Sequence, residues 1–229
     1  MSRIARDRAT ETVWLPGAMG DVVAAFDFDG TLSTRDNVVP FLRRVAGNAA
    51  TVEAFASATA HLARRGRRAC TRDALKAELV RRLLGGRDAR AIDAIAASFA
   101  EEVMARHLRT EAVARADWHR TQGHWLVMVS ASFAEYLRPI AQRLRFDAVL
   151  ATELEVGSDG TLTGRLAGPN VRGEEKVRRL DDWIEHLPDL VPDASPFVWA
   201  YGDSSGDRQL WARADRAVRL GRRAHRGVG

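Results

Sequence analysis

Apolar residues follow two different patterns along the chain. The unbroken run VVAAF, residues 22–26, has the length and composition of a buried β-strand and ends at an aspartate. From Asp36 to about His119, apolar residues instead recur every three or four positions, which is the spacing of one helical face. Breaks rich in Gly and Arg divide that region into predicted helices near residues 37–46, 49–64, 72–84, 88–107 and 110–122. The pattern predicts one strand followed by a long helical insertion.

Strands and helices alternate after residue 124. The apolar runs WLVMVS and FVWAYG have strand length, AVRL is a last strand, and helical segments lie between them. AVLATELEV and TLTGRLAG flank the turn residues 157–160, and this arrangement predicts a β-hairpin. Such alternation is typical of a mostly parallel sheet with helices on both faces. We therefore predict an α/β fold, a doubly wound, mostly parallel, Rossmann-like core with an inserted all-helical domain.

The composition is that of a globular protein without a membrane span. Hydrophobic residues make up 46 % and charged residues 28 % of the 229 positions, and no run approaches the roughly eighteen apolar residues that a span needs. The first residues, MSRIARDRATETV, carry charges where a secretory signal has its apolar core. The single cysteine, Cys70, has no partner for an internal disulfide. We expect a cytoplasmic protein with a flexible tail at residues 1–20.

A net charge of +5 raises the question of nucleic-acid binding, because basic surfaces gain affinity by neutralising phosphates. The arginines are spread over the chain, with short clusters only at residues 64–68 and 222–226. No aromatic residues interleave those clusters, so the stacking surfaces that bind bases are missing. We expect no nucleic-acid partner; a basic nucleic-acid-binding module without catalysis stays an alternative. The sequence carries no signal that sets the oligomeric state.

Polar residues directly follow three of the predicted strands. Asp27 and Asp29 follow VVAAF, Ser130 follows WLVMV, and Asp203 and Asp207 follow FVWAYG. Because ligands bind at the carboxyl ends of parallel strands, we expect these side chains in one site. Two carboxylates two positions apart repel each other unless a cation or a shared proton offsets the charge. Mg²⁺ suits this site because it binds carboxylates and substrate phosphate oxygens together.

The segments DFDGTL, VMVSAS, Lys176 and YGDSSGD resemble, in this order, the four motifs of the haloacid dehalogenase superfamily. The helical insertion between the first and second motifs resembles the cap of the phosphoserine-phosphatase-like branch. The predicted organisation is a tail at residues 1–20, a Rossmann-like catalytic core at 21–35 and 120–229, and a helical cap at 36–119. By this resemblance the cap opens for the substrate and closes to exclude water.

The resemblance implies a Mg²⁺-dependent phosphatase that hydrolyses a small organic phosphate monoester through an aspartyl-phosphate intermediate. Asp27 is then the nucleophile, Asp29 the general acid and base, and Lys176 a third catalytic residue. The expected phosphate-binding residues are Phe28 and Gly30 through their backbone, Thr31, Ser130 and Lys176. The expected metal ligands are Asp27, Asp29, Asp203 and Asp207, with the orientation of Lys176 as the alternative role of Asp207. A phosphomutase or other phosphotransferase of the same superfamily stays an alternative.

Substrate specificity is expected from residues that frame the leaving group. These are Asp36, Phe41, Ser132 and Asn170. Asp36 and Ser132 stand where phosphoserine phosphatases usually have Glu and Gly. The chain has two lysines, and Lys176 falls where the family needs a compact ammonium. The other, Lys76, is predicted to be a solvent-exposed lysine of the cap.

Overall fold

The computed structural model describes residues 22–66, 71–188 and 195–220. The predicted tail at residues 1–20, Cys70 and the basic cluster at residues 222–226 lie outside the described residues, as does part of the cluster at 64–68.

Five parallel strands form the central sheet. They are β1 (Val22–Phe26), β2 (Trp125–Phe133), β3 (Ala148–Thr152), β6 (Phe197–Gly202) and β7 (Arg216–Arg219), in the order β3-β2-β1-β6-β7. The remaining strands, β4 (Leu154–Val156) and β5 (Leu162–Leu166), pair antiparallel as a separate hairpin. The predicted hairpin is therefore confirmed, except that AVLAT belongs to the central sheet, where it pairs with β2.

The described parts of the chain contain eight helices. They are α1 (Val38–Ala46), α2 (Asn48–Arg64), α3 (Arg72–Leu83), α4 (Ala89–Arg106), α5 (Thr110–Thr121), α6 (Ala134–Leu144), α7 (Glu174–Ile184) and α8 (Arg208–Arg213). α3 and α4 begin where polar side chains accept a backbone N–H: Thr71 from Ala74 at 3.1 Å, and Asp88 from Ala91 at 2.8 Å. None of these helices is both long and apolar enough to cross a membrane.

Both faces of the central sheet are buried, which explains why β1 is apolar without interruption. Ala24 and Phe26 point into a core shared with helices of the insertion and with α6. Val23 and Ala25 point into a second core, formed with α7 and α8. The α/β prediction is confirmed. Because alternate residues of β1 are buried on opposite faces, the strand is fixed in the centre of the sheet, and the aspartate that follows it lies at the carboxyl end of the strand.

The chain leaves the sheet and returns to it along two adjacent segments. Ser33 pairs with Leu108, and the Thr34 N–H donates to the His107 carbonyl at 2.8 Å. α5 then packs on the sheet, where the Nε2 atom of His119 lies 2.8 Å from the hydroxyl of Tyr201 on β6. The predicted boundary between cap and core at residue 119 stays a prediction.

Candidate active site

A cavity of about 510 Å³ lies at the carboxyl ends of β1, β2 and β6. The sequence-predicted residues that line it are Asp27, Asp29, Gly30, Ser130, Lys176, Asp203 and Asp207, with Asp36 and Asn170. The Asp27 N–H donates to the Tyr201 carbonyl at 2.9 Å, so the residue after β1 is tied to β6. Parallel strand ends and the start of α7 therefore bring together residues up to 180 positions apart, as the sequence predicts.

Lys176 is buried between two carboxylates. Its Nζ atom lies 2.7 Å from Oδ1 of Asp27 and 2.6 Å from Oδ1 of Asp207. Burial alone would lower the lysine pKa, but attraction to these two carboxylates outweighs it and raises the pKa. For Asp27, burial dominates and raises the carboxyl pKa to about 6 against the opposing effect of Lys176. The ammonium therefore stays charged and fixes both carboxylates.

Asp207 is held in place by its second carboxylate oxygen. Oδ2 accepts hydrogen bonds from the Ser204 N–H and hydroxyl, both at 3.1 Å, and from the Asp203 N–H at 3.3 Å. The Gly206 N–H in turn donates to the Ser204 hydroxyl at 3.2 Å. Because these bonds are made by Oδ2, Oδ1 of Asp207 is available to Lys176. Both of the sequence-predicted roles of Asp207, metal ligand and partner of the lysine, are compatible with this position.

Asp27, Asp203 and Asp207 form an acidic group whose oxygens, one from each carboxylate, lie within 4.8 Å of one another. Burial and then repulsion from Asp207 raise the pKa of Asp203. Three carboxylates face one ammonium here, so negative charge is in excess, and oxygen donors at this spacing fit a hard divalent cation such as Mg²⁺. This set differs from the predicted metal ligands because it does not include the Asp29 carboxylate.

The Asp29 carboxylate is directed instead to the segment that leaves the sheet. Oδ1 accepts from the backbone N–H of Asn37 at 3.1 Å and from its side-chain amide at 2.7 Å, and Oδ2 accepts from the Ser132 hydroxyl at 2.5 Å. Burial, followed by repulsion from Asp36, raises the Asp29 carboxyl pKa to about 7, although the hydrogen bonds from Ser132 and Asn37 oppose this rise. Both oxygens of the Asp29 carboxylate therefore have protein partners outside the acidic group. The assignment of Asp29 as a metal ligand stays a prediction.

Gly30 is required by its surroundings and by its conformation. Its φ is +79°, and a Cβ atom at this position would lie 2.2 Å from Oδ2 of Asp203. The neighbouring Phe28 has a fully buried side chain, and its backbone N–H is hydrogen-bonded to the Asp27 carboxylate. Thr31 is also buried, and its hydroxyl has no hydrogen-bond partner among the described residues.

Two of the expected specificity residues do not line the cavity. Phe41 is fully buried, with its ring centroid 5.1 Å from that of Tyr136 and 5.5 Å from that of Phe99. Ser132 is buried and donates to Asp29. Phe41 is therefore a packing residue, and Ser132 holds a catalytic candidate rather than the leaving group. The role of Phe41 was missed because an apolar helix face does not indicate which neighbouring residues it packs against.

Lys76 was predicted to be exposed, and this prediction is wrong. The side chain is buried, and its Nζ atom donates to the Ala131 carbonyl and, at 2.8 Å, to Oδ1 of Asn170. It also lies 4.4 Å from the Phe133 ring centroid. Lys76 on α3 therefore connects the helical insertion to Ala131 and Asn170 of the core. The sequence did hold a signal for this burial, because Lys76 shares a helical face with the apolar residues Leu79, Val80 and Leu83.

Asn37 and Arg109 also contact the site, and the sequence did not single them out. The Asn37 side-chain amide contacts Asp29, as described above, and also donates to the Ser33 hydroxyl at 2.9 Å. Arg109 lines the cavity and donates to the carbonyls of Gly30 and Thr31, both at 3.1 Å. In the sequence, Asn37 has the form of an ordinary helix cap, and Arg109 is one arginine among many.

Residues 24–212 match the family of haloacid dehalogenase-like hydrolases. The chain belongs to this family. The match includes all four motif segments and every carboxylate of the cavity that was predicted from the sequence.

Relatives of this haloacid dehalogenase-like hydrolase cover most of its length. Protein CicA of Caulobacter vibrioides is 36 % identical over 203 residues, which are 88 % of this chain and 87 % of that protein. A Bordetella pertussis protein described as having unknown function has a TM-score of 0.73 at 24 % identity, over 89 % of this chain and 92 % of that one. A probable phosphoserine phosphatase from Vibrio cholerae has a TM-score of 0.64 at 18 % identity, over 89 % and 58 %. The fold is that of the phosphoserine-phosphatase-like branch.

Proposed function

We propose that this haloacid dehalogenase-like hydrolase is a Mg²⁺-dependent phosphatase that hydrolyses a small organic phosphate monoester through an aspartyl-phosphate on Asp27. The observation that carries the proposal is the different environment of two neighbouring carboxylates. Asp27 contacts Lys176 at 2.7 Å within the acidic group, whereas Asp29 contacts Asn37 and Ser132. The fold shared with a protein named as a probable phosphoserine phosphatase supports the same reaction class.

In the first step, a carboxylate oxygen of Asp27 forms a bond to phosphorus while the bond from phosphorus to the leaving oxygen breaks. Asp29 donates its proton to that oxygen, and the alcohol leaves. A pKa raised to about 7 suits this role, since the carboxyl group then holds a proton in part of the molecules near neutral pH.

In the second step, water attacks phosphorus and the bond to the Asp27 oxygen breaks. The Asp29 carboxylate, now unprotonated, accepts the proton of that water, so inorganic phosphate is released and both aspartates return to their starting states. The hydrogen bonds from Asn37 and Ser132 hold the Asp29 carboxyl in one place for both steps.

The transferred phosphoryl group needs donors and positive charge around its oxygens. We assign this role to the ammonium of Lys176, the hydroxyl of Ser130 and backbone N–H groups of residues 28–30. Ser130 Oγ accepts from the Ser132 N–H at 3.2 Å, which fixes the hydroxyl oxygen while its proton remains available. Asp27, Asp203 and Asp207 would hold Mg²⁺, which supplies positive charge to the phosphoryl oxygens when it is bound.

The leaving group is proposed to occupy the cavity between α3 and the loop at Asn170. Lys76, Asn170 and Asp36 are among the polar side chains that line it. A buried ammonium favours a leaving group with a carboxylate or another hydrogen-bond acceptor. We also propose that the cap ends near Arg109, where the chain returns to the sheet, so that α5 belongs to the core.

The test is Mg²⁺-dependent release of inorganic phosphate from an aryl phosphate and from phosphorylated amino acids, sugars, nucleotides and lipid head groups. We expect release to require Mg²⁺, to stop in Asp27→Asn with the fold retained, and to be unaffected by the exposed change Asp182→Asn. Full activity in Asp27→Asn would contradict the mechanism. Conversion of a monophosphate into an isomer without free phosphate would favour the phosphomutase alternative.

A further inference from the structure

Arg109 makes three hydrogen bonds to the loop that follows β1, defined here as residues 28–32. Its Nε and Nη2 atoms donate to the carbonyls of Thr31 and Gly30, each at 3.1 Å, and its backbone N–H donates to the Leu32 carbonyl at 2.8 Å. The side chain is 14 % exposed, and its Nη1 atom forms an ion pair with Glu111 at 3.3 Å. One residue, 78 positions after Thr31, therefore binds three consecutive carbonyls of the loop.

These bonds fix the direction of the peptide groups of the loop. The N–H of a trans peptide points away from its carbonyl. With the Gly30 and Thr31 carbonyls directed to the guanidinium, the N–H groups of Thr31 and Leu32 point away from it. Without Arg109, the two carbonyls would need other partners in a part of the molecule that is mostly buried. Peptide rotation in this loop would also move Asp29, which is bonded directly to Gly30.

Gly30 has little freedom to move on its other side. Its Cα faces Asp203 so closely that a Cβ atom would lie 2.2 Å from the carboxylate. The glycine is thus held between the guanidinium of Arg109 and a carboxylate of the acidic group. A shift of the loop would change the distance from Gly30 to Asp203 and the direction of Asp29 together.

Arg109 is also the residue at which the chain returns from the helical insertion. The pairing of Ser33 with Leu108 and the Thr34 to His107 hydrogen bond come directly before it. The same residue therefore connects the returning segment to the loop. A planar guanidinium presents two donors at a fixed spacing to two neighbouring carbonyls, which a lysine ammonium does not.

We infer that Arg109 is a positioning residue for the proposed reaction: its guanidinium holds the Gly30 and Thr31 carbonyls so that Asp27 and Asp29 keep their reacting geometry. The inference rests on the proposed function. It concerns the arrangement of the loop, and it can therefore be measured without catalysis.

The experiment compares Arg109→Ala and Arg109→Lys with the wild type and with Arg120→Ala. Arg120 is a matched control, since it lies on α5 in an exposed ion pair with Asp117. Steady-state kinetics with an aryl phosphate and hydrogen exchange of residues 28–34 are the two readouts. Misplacement of a reacting group by about 1 Å costs on the order of 100-fold, so we expect kcat of Arg109→Ala to fall by that order with KM changed only a few-fold.

Three further results are expected. Arg109→Lys keeps the charge but not the two-donor geometry, and its kcat stays well below that of the wild type. Guanidinium chloride at non-denaturing concentration partly restores Arg109→Ala, whereas sodium chloride at equal ionic strength does not. Exchange in residues 28–34 is faster in Arg109→Ala than in Arg120→Ala.

Full kcat in Arg109→Lys, or unchanged exchange in Arg109→Ala, would overturn the inference. If Arg109→Ala does not fold, Arg109→Lys decides by both readouts. If the wild type hydrolyses no phosphate ester, the proposed function fails, but the exchange comparison still tests whether Arg109 holds the loop.

Discussion

The Nζ atom of Lys176 lies 2.7 Å from Oδ1 of Asp27, and the two side chains are only 3 % and 8 % exposed. The same nitrogen contacts Asp207, so one ammonium serves two buried carboxylates. A buried charge left without its partner is strongly unfavourable. This relationship makes Lys176 a stabilising residue as well as a candidate catalytic one.

Lys176→Met should therefore destabilise the fold and abolish activity. Removal of one member of a buried ion pair costs about 3 to 5 kcal/mol, so we expect a loss of that order in the free energy of unfolding, measured by urea denaturation without Mg²⁺. Arg178→Met on the same helix is the control, because Arg178 is largely exposed. Equal stability of Lys176→Met and the control would show that the buried pair is not maintained in solution.

Gly30→Ala tests the close approach of the loop to Asp203. The added Cβ would overlap the carboxylate, so we expect Mg²⁺ binding and kcat to fall together, by at least about 100-fold in kcat if the loop moves by 1 Å. Gly160→Ala is the control, since Gly160 has a similar φ of +81° but no atom within 4 Å of its Cβ position. Both variants carry backbone strain of about 1 to 2 kcal/mol, and only Gly30→Ala should lose activity. Calorimetric titration with Mg²⁺ and steady-state kinetics measure the two effects.

Lys76 should make substrate preference depend on pH. Burial lowers its pKa to about 7, although Asp29, Glu135, Asp73 and Asp36 oppose this effect. Because the charged form is the acid, Lys76 is mostly positive below pH 7 and mostly neutral above it. A leaving group with a carboxylate should be favoured below that pH and lose its advantage as the pH rises through it.

The measurement is the ratio of kcat/KM for phosphoserine to that for phosphoethanolamine, which lacks the carboxylate. Titration of Asp27 and Asp29 affects both substrates, so it largely cancels in the ratio. The ratio should fall as the pH rises through about 7 in the wild type, and Lys76→Met should show a lower, flat ratio. The same pH dependence in Lys76→Met would exclude Lys76 as its cause.

The core arrangement was predictable because each strand carries its own local signal. VVAAF, WLVMVS and FVWAYG end at Asp27, Ser130 and Asp203, and the parallel topology brings these ends together. Apolar spacing likewise predicted the five helices from α1 to α5 to within about two residues. The predicted range of the hairpin was too long. It included AVLAT, whose composition fits either a hairpin strand or a buried parallel strand, and which pairs with β2 in the central sheet.

The environment of Asp29 and the contacts of Lys76 were not predictable in this way. Both depend on how helices of the insertion meet the core, which is set by packing between segments far apart in sequence. Asn37 contacts Asp29 eight residues away, and Lys76 contacts Asn170 across 94 residues. Neither contact has a local sequence pattern: the apolar face of α3 indicates that Lys76 is buried, but it does not indicate which residue Lys76 contacts.

His119 should make the fold sensitive to acid. Its ring is fully buried, with Nδ1 2.8 Å from Nδ1 of His124 and Nε2 2.8 Å from the Tyr201 hydroxyl. Burial, followed by repulsion from His124 and Arg115, lowers its pKa from 6.5 to about 3. The unfolded chain therefore binds a proton that the folded chain excludes between these pH values, and stability falls as the pH decreases through that window.

One such proton gives a slope of up to about 1.4 kcal/mol per pH unit. We expect the free energy of unfolding of the wild type to fall more steeply with acid than that of His119→Gln, in urea denaturation series at several pH values. His186→Gln, a change at an exposed histidine, should follow the wild type. Parallel curves for His119→Gln and the wild type would mean that His119 titrates alike in the folded and unfolded chains.

The most direct test of the central claim is the capture of phosphate on Asp27. In Asp29→Asn, an aryl phosphate with a weakly basic leaving group can still phosphorylate Asp27, but the base that activates water is missing. We predict a burst of one equivalent of aryl alcohol per enzyme with Mg²⁺ present. Borohydride reduces an aspartyl-phosphate to homoserine and releases the phosphate, so peptide mass spectrometry after reduction should find homoserine in place of Asp27. Absence of a phosphoenzyme, or phosphate attached to a different residue, would contradict the account.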